Sequence, residues 1–265
     1  MEFDQKQIER YSRNMVLAEL GVDGQRRLRS AGVLIVGAGG LGSPALLYLA
    51  AAGVGRIGLI DPDNVELSNL QRQVAHDTRA LGTPKVISAA RRARELNPDV
   101  KVETWKDRLD SDNAAELIEK FDFVIDATDN FPAKYLINDA CVLAGKPFSH
   151  AGVLKFGGQA FTWEPPAGKY PCLRCMLPEQ PPAEETPTCA ASGVLGAAVG
   201  VMGSVQAAEA VKFIAGIGER LTGKLLSVDT LTARMGTVRM AADPACPVCS
   251  AQATISTLND SFYRR

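Results

Sequence analysis

Short apolar runs alternate with longer, partly polar segments along the first 150 residues of the chain. The runs Gly32–Gly37 and Arg56–Asp61 are almost continuously apolar, which is typical of strands buried on both faces. The Ala-rich segment Ser43–Ala52 between them is long enough for a helix, and Pro44 stands where a first helical turn needs no N–H donor. This alternation of strands and helices predicts a parallel, doubly wound sheet over residues 32–150.

The same patterns predict the remaining strands and helices. Strands are expected at Val100–Thr104, Phe121–Asp126, Phe148–Val153, Gly158–Trp163, Lys224–Val228 and Arg234–Met240. Helices are expected within residues 1–30 and at Thr83–Leu96, Asp112–Lys120, Phe131–Ala144 and Gly193–Ile214. Thr83 is expected to be the N-cap of its helix, with Pro84 as the first helical residue. The segment Pro165–Pro187 is rich in Pro and Glu and predicts an extended loop.

Composition and charge narrow the range of functions. Of the 265 residues, 46% are hydrophobic and 22% are charged, as in ordinary globular domains. The formal net charge of −1 gives no broad basic field, so we expect neither nucleic acid nor a membrane as a partner. Two long uncharged stretches, Ala31–Gly55 and Cys189–Ala208, are diluted by Gly and Ala, and we expect neither to span a membrane. The charged N-terminus lacks the apolar core of a signal peptide, which predicts a cytoplasmic protein with reduced thiols.

A glycine-rich turn follows the first predicted strand. Gly37, Gly39 and Gly42 form G-x-G-x-x-G directly before a predicted helix, where backbone N–H groups and the helix N-terminus can bind a phosphate. Asp61 comes nineteen positions after Gly42, at the end of the second strand, where an acid can hold ribose hydroxyls. A tight turn with no ligand is the alternative. The pattern favours a nucleotide site but does not separate dinucleotides from mononucleotides.

The polar segment after Asp61 favours a triphosphate. It offers Asn69, Gln71 and Arg72, and Lys85 follows it; an Arg binds phosphate oxygens bidentately and a Lys adds a point charge. Asp129 follows the fourth predicted strand, where a carboxylate is placed to bind Mg²⁺. The alternative is that Asp129 or Asn130 caps the next helix, and the two roles can coexist.

Two C-x-x-C pairs predict a metal site. Cys172 with Cys175 and Cys246 with Cys249 supply four thiolates, a closed tetrahedral set suited to structural Zn²⁺. The alternatives are a redox-active C-x-x-C or two unrelated pairs.

The remaining cysteines and the two histidines give weaker indications. Cys189 precedes an apolar helix, where a lowered pKa could make it a nucleophile, although a buried thiol is the alternative. Cys141 is expected in the core. His76 and His150 are too few and too far apart in sequence to indicate a catalytic pair.

Together these residues resemble the MoeB/ThiF (HesA) adenylyltransferases, relatives of ubiquitin-activating enzymes, over about residues 7–250. The resemblance rests on the following motifs: Arg10–Arg13, Gly37–Gly42, Asp61, Ser68–Arg72, Lys85, Thr128–Asn130, the two C-x-x-C pairs and Thr188–Cys189. It implies a Rossmann-like doubly wound sheet whose parallel N-terminal half is extended by antiparallel C-terminal strands. It also implies ATP-dependent adenylation of the C-terminal glycine of a small ubiquitin-like sulfur-carrier protein with a Gly-Gly terminus. The implied reaction releases pyrophosphate and prepares the carrier for sulfur transfer.

The resemblance also assigns roles to individual residues. The implied catalytic residues are Arg13, Arg72, Lys85, Asp129 with its Mg²⁺, and Cys189. The implied nucleotide-binding residues are Gly37, Gly39, Gly40, Gly42, Asp61, Ser68, Asn69, Leu70, Gln71, Arg72, Lys85, Asp129 and Asn130. Arg13 is implied to reach the phosphates from the other subunit of a homodimer. In the family, the cysteine that matches Cys189 forms a thioester or a persulfide-derived link with the carrier in some members and is dispensable in others.

We therefore expect one adenylation domain over residues 1–265. Its parts are an N-terminal helical segment (1–30), a nucleotide-binding half (31–150) and a carrier-binding and zinc half (151–250). Because the sequence runs only sixteen residues beyond Cys249, a separate sulfur donor such as a cysteine desulfurase or a rhodanese is expected. The alternative functions are an NAD-dependent oxidoreductase and a non-catalytic scaffold for a ubiquitin-like protein. The pathway stays open among molybdopterin, thiamine and tRNA thiolation.

Overall fold

A computed structural model describes residues 2–182 and 189–263 of the chain. Its strands are β1 (Gly32–Val36), β2 (Arg56–Ile60), β3 (Lys101–Trp105), β4 (Phe123–Asp126), β5 (Phe148–Leu154), β6 (Gly157–Trp163), β7 (Lys224–Asp229) and β8 (Arg234–Arg239). Its α-helices are α1 (Gln5–Met15), α2 (Gly21–Ser30), α3 (Gly42–Ala52), α4 (Lys85–Leu96), α5 (Ala114–Glu119), α6 (Phe131–Ala144), α7 (Leu173–Met176), α8 (Cys189–Ser192) and α9 (Gly196–Ala215). Short 3-10 helices lie at Leu67–Asn69, Thr78–Ala80 and Asp260–Phe262.

All eight strands belong to one sheet in the order β3-β2-β1-β4-β5-β6-β7-β8. Strands β1 to β5 pair in parallel, while β6, β7 and β8 continue the sheet through antiparallel pairs. The predicted α/β fold class is therefore confirmed. The strand order changes direction between β1 and β4, and ligands of such sheets bind outside the carboxyl ends of the strands at this point.

Hydrophobic clusters on the two faces of the sheet hold the helices against it. One cluster joins α3, α4 and α9 to the sheet, and the other joins α5, α6 and the segment around the cysteine pairs. By length and composition α9 could cross a membrane. It contacts α3 and strands β4, β5 and β6, as a core helix does.

Several predicted boundaries differ from those of the structure. Helix α4 begins at Lys85, and Pro84, not Thr83, is its N-cap residue. Pro84 has extended backbone (φ −53°, ψ 132°) because it forms a β-bridge with Asn64, so the helix starts one residue after the proline. The predicted N-terminal helical segment consists of two helices, α1 and α2. The predicted loop Pro165–Pro187 contains the short helix α7, and its positions 183–187 lie outside the described residues.

Candidate active site

A cavity of about 1130 Å³ opens at the carboxyl ends of the parallel strands and continues over β5, β6 and β7. Eight of the residues predicted to bind nucleotide or metal line it: Gly37, Gly39, Gly40, Asp61, Arg72, Lys85, Asp129 and Asn130. Loops after β1, β2 and β4 supply most of them, so the sheet brings together groups that lie up to 93 positions apart in the sequence. The chemistry of the site depends on how each group is held.

The glycine turn after β1 is fixed by backbone contacts. Gly37 has φ +99°, a left-handed conformation. A Cβ on Gly42 would lie 2.0 Å from the Gly37 carbonyl oxygen, so only glycine fits where α3 begins. The Asp61 carboxylate accepts hydrogen bonds from the backbone N–H of Ala38 (2.8 Å) and of Asp63 (2.9 Å). Asp61 therefore braces this turn from β2. Burial raises the pKa of Asp61, while nearby Lys85 lowers it.

Two cationic side chains reach the cavity from the segment after β2. Lys85 is largely buried, and its Nζ lies 2.8 Å from an Asp63 carboxylate oxygen. Arg72 donates from Nη1 to the Ser68 carbonyl oxygen at 3.1 Å, which directs the guanidinium along the cavity wall. These side chains place positive charge beside the glycine turn.

Other predicted nucleotide-binding residues do not line the cavity. Ser68, Asn69, Leu70, Gln71 and Gly42 are absent from its lining. The Asn69 side chain accepts a hydrogen bond from the Glu66 backbone N–H (3.1 Å) within a short 3-10 helix. In this structure Asn69 thus shapes the segment that carries Arg72.

The structure separates the two roles proposed for Asp129 and Asn130. Asn130 caps α6 by accepting a hydrogen bond from the Ala133 backbone N–H at 3.0 Å. Asp129 is exposed in the cavity, and its carboxylate makes no hydrogen bond or ion pair within residues 2–182 and 189–263. A carboxylate free of protein partners beside a glycine turn suits Mg²⁺, which prefers oxygen ligands.

The structure also reveals cavity residues that sequence reasoning missed. Lys134 and His150 both line the cavity and contact the buried carboxylate of Asp126. No sequence motif links these two residues, because Lys134 lies on α6 and His150 lies on β5. The sequence feature that could have indicated this cluster is Asp126, an acid at the end of the otherwise apolar strand β4.

Gln73 was also missed. Its side chain is buried beside Gly39, and its Oε1 has no hydrogen-bond partner among the described residues. A buried carboxamide without a partner is costly, so a ligand in the cavity would relieve it.

The four cysteines of the C-x-x-C pairs form one cluster. Their sulfur atoms all lie within 4.8 Å of one another, with Sγ–Sγ distances of 3.9 Å (Cys172–Cys175), 3.6 Å (Cys172–Cys246) and 3.4 Å (Cys175–Cys249). Sulfurs placed about 2.3 Å from a tetrahedral Zn²⁺ lie about 3.8 Å apart, so the cluster is compatible with zinc.

A buried ion pair ties this cluster to the core. Arg174, between the first two cysteines, binds both carboxylate oxygens of Asp139 at 2.7 Å, and the Tyr263 hydroxyl donates to the same group at 2.9 Å. Asn138 accepts the backbone N–H of Leu173 at 2.8 Å. Helix α6 begins directly after Asp129 and Asn130. The same helix thus also supports the cysteine cluster.

Two predicted catalytic residues do not join the others. Arg13 is exposed on α1 and is absent from the cavity lining. Cys189 begins α8, and its side chain lies outside the described residues. The segment after α8 bridges to Lys155 at the end of β5 and contributes Val194 to the cavity wall.

Fold and cavity define an α/β protein with a glycine-rich turn at the switch point of its sheet. The pattern of the ThiF family matches residues 11–248, and the chain belongs to this family. It is 46% identical over 263 residues to the sulfur carrier protein adenylyltransferase of Thermus thermophilus, covering 98% of this chain and 97% of that protein. It is 47% identical to the adenylyltransferase and sulfurtransferase MOCS3 of Sus scrofa, covering 97% of this chain but 56% of that protein. The crystal structure of Escherichia coli MccB with ATP superposes with a TM-score of 0.74 at 27% identity, covering 91% of this chain and 74% of that chain.

Proposed function

We propose that this protein transfers AMP from ATP to the C-terminal glycine of a small ubiquitin-like sulfur-carrier protein and releases pyrophosphate. The observation that carries the proposal is the composition of the cavity. One end combines a glycine turn, two cations and a free carboxylate, and the other end extends over antiparallel strands. The names of the relatives support the same activity, since they include adenylyltransferases that act on sulfur carriers.

The proposed reaction joins two anions, and the cavity is suited to this. A glycine carboxylate is already ionised, so its attack on the α-phosphate needs positioning and positive charge more than a strong base. Lys85 and Arg72 offset the charge that accumulates on the leaving pyrophosphate. Asp129 would hold Mg²⁺, which when bound supplies further positive charge at the phosphate oxygens.

The remaining assignments extend this proposal. ATP binds with its phosphates on the glycine turn, and the four cysteines hold one structural Zn²⁺. The chain acts as a homodimer in which Arg13 completes the neighbouring site. The carrier ends in Gly-Gly, Cys189 is available for a covalent link to it, and a separate protein donates the sulfur. The protein works in the cytoplasm.

The proposal is tested by carrier-dependent exchange of radioactive pyrophosphate into ATP. Purified carriers of the molybdopterin, thiamine and tRNA-thiolation pathways are compared, and the true partner should give exchange that the others do not. Asp129→Asn and Lys85→Met should each lower the rate by about 10²-fold or more. Asp112→Asn, an exposed acid outside the cavity, is the matched control and should exchange at the wild-type rate. Binding of a carrier with no exchange would contradict the proposal and favour the scaffold alternative.

A further inference from the structure

His150 presents one unused ring nitrogen to the cavity. Its Nδ1 lies 2.7 Å from an Asp126 carboxylate oxygen, and its ring stacks on Phe161 with centroids 4.9 Å apart. Asp126 and His150 face each other in the β4–β5 register, so the backbone fixes this pairing. Within residues 2–182 and 189–263, Nε2 of His150 makes no hydrogen bond.

The surroundings of His150 determine which nitrogen carries the proton. Burial alone would raise the pKa of Asp126, but Lys134 and hydrogen bonds from His150 and Thr128 hold that pKa well below its usual range. An ionised carboxylate only accepts, so Nδ1 of His150 must donate to it. Burial, with the added effect of Lys134, lowers the pKa of His150. The ring is therefore neutral near pH 7, and Nε2 is a hydrogen-bond acceptor.

The strand order indicates which ligand supplies the donor. Asp61, at the ribose end of the site, follows β2, whereas His150 lies on β5, three strands away and about 14 Å distant. The glycine turn after β1 and Asp129 after β4 lie between them. A nucleotide with its ribose at Asp61 and its phosphates on the glycine turn would not cover β5. The molecule that attacks the phosphate can therefore bind there.

The cavity next to His150 has room for an extended peptide. Gly152, the next residue on the same face of β5, lines the cavity, and no atom lies within 4 Å of the place a Cβ would take. In a C-terminal glycine the backbone nitrogen lies within about 4 Å of its own carboxylate oxygens. A carboxylate placed beside Asp129, in the turn after β4, thus puts the last peptide N–H near the adjacent strand, β5.

We infer that Nε2 of His150 accepts the last peptide N–H of the carrier tail. Asp126 is the positioning residue, because it keeps the proton on Nδ1 and fixes the ring plane. The inference rests on the proposed function, which supplies the tail as substrate. This hydrogen bond is made to the peptide backbone of the tail and not to a side chain. Any carrier that ends in glycine can therefore make it.

The test combines a protein variant with a change in the carrier. A semisynthetic carrier ends in glycolic acid instead of glycine, so an ester replaces the last N–H while the terminal carboxylate stays. His150→Phe keeps a ring against Phe161 but has no acceptor, and His150→Gln is the matched variant that keeps one. Pyrophosphate exchange is measured with carrier and ATP varied separately, on folded dimer of each variant.

The expected result is a coupled effect on the carrier alone. His150→Phe should raise the KM for the amide carrier about tenfold and leave the KM for ATP within about twofold. The ester carrier should show the same rise with wild-type protein and no further rise with His150→Phe. His150→Gln should recover much of the loss. The inference would be overturned if the ester and amide carriers had the same KM with wild-type protein. It would also be overturned if the ester and His150→Phe each raised the KM and the two increases multiplied when combined. Absence of exchange by wild-type protein with the amide carrier would instead contradict the proposed function itself.

Discussion

At the residue scale, neighbouring polar side chains take different tasks because the backbone turns between them. Asn130 has extended backbone and caps α6, while Asp129, one position earlier, keeps its carboxylate in the cavity. The sequence placed both residues at the end of β4 but left the cap undecided, because either side chain is a good N-cap. Only the dihedral angles of the turn resolve this.

Asp126 should make folding stability depend on pH. Its pKa is lowered from 3.8, so its ionisation stabilises the folded state above about pH 4, and this contribution is lost as pH falls toward the folded pKa. Asp126→Asn leaves the buried Lys134 ammonium without its carboxylate and should cost about 3–5 kcal/mol of unfolding free energy at pH 7.

Urea denaturation at about pH 7 and about pH 3.5 checks this expectation. The stability difference between wild type and Asp126→Asn should narrow at the lower pH, because unfolded wild-type protein then binds a proton at Asp126 that the folded protein does not. Asp112→Asn, at an exposed position, is the control and should show a small difference at both values. A constant gap for Asp126→Asn would mean that its carboxylate is not held ionised by these contacts.

Cys189 should be separable from adenylation. Attack on the α-phosphate involves no thiol, so Cys189→Ala should retain carrier-dependent pyrophosphate exchange within about threefold. The same variant should lose any carrier adduct that a reducing agent releases, as seen by mass spectrometry before and after dithiothreitol treatment. A hundredfold loss of exchange in a folded variant would show that the thiol serves the first step as well.

At the scale of elements, the cysteine cluster and α6 support each other. Leu173, Met176 and Leu177, in and beside α7, line the cavity, while the Arg174–Asp139 pair holds the same short helix against α6. A four-residue helix does not fold by propensity alone. The cluster is therefore expected to fix the part of the cavity wall that α7 forms.

Metal analysis should find about one Zn²⁺ per chain, and Cys246→Ser should lose it. The unfolding free energy should fall by about 5 kcal/mol or more, because metal binding is coupled to folding of this region. Thermal unfolding with and without a chelator gives the same information for wild-type protein if the variant does not fold. Cys141 is a buried cysteine outside the cluster, so the Cys141→Ala variant should bind zinc as wild-type protein does. Metal-free protein that unfolds at an unchanged temperature would contradict a structural role.

Sequence patterns located most elements because β1, β2 and β4 are short and largely apolar runs. They failed where tertiary pairing decides the outcome. The bridge between Pro84 and Asn64 delays the start of α4, and this contact joins segments twenty positions apart. Likewise, the contact of His150 with Asp126 depends on strand register, which no local pattern encodes.

At the scale of the whole molecule, the position of Arg13 makes the proposed homodimer testable. Arg13 is exposed on α1 and lies outside the cavity lining of its own chain, so the role proposed for it at the phosphates requires a partner chain. Arg13→Ala should lower the exchange rate by about 10²–10³-fold. ATP binding should change much less, if the contact strengthens as charge moves to pyrophosphate.

Complementation tests the assignment across subunits. Arg13→Ala and Asp129→Ala protein, each inactive alone, are mixed under conditions that exchange subunits. A mixed dimer has one site with both side chains intact, so up to about a quarter of wild-type activity should return. Mixed dimers without activity would mean that Arg13 does not act on the neighbouring site.

During synthesis on the ribosome, the first two cysteines of the cluster are made before the last two. They are open to oxidation in the interval. Cys172 and Cys246 are separated by 74 positions, so synthesis at about 5–20 residues per second takes roughly 4–15 s between them. During those seconds Cys172 and Cys175 are two reduced thiols without their partners, while strands β1 to β6 have already emerged. Oxidants or thiol-seeking metals present in the cell at that moment compete for a pair of thiols that the finished protein holds beside Cys246 and Cys249. Newly made chains should therefore be far more sensitive to oxidative stress than mature ones.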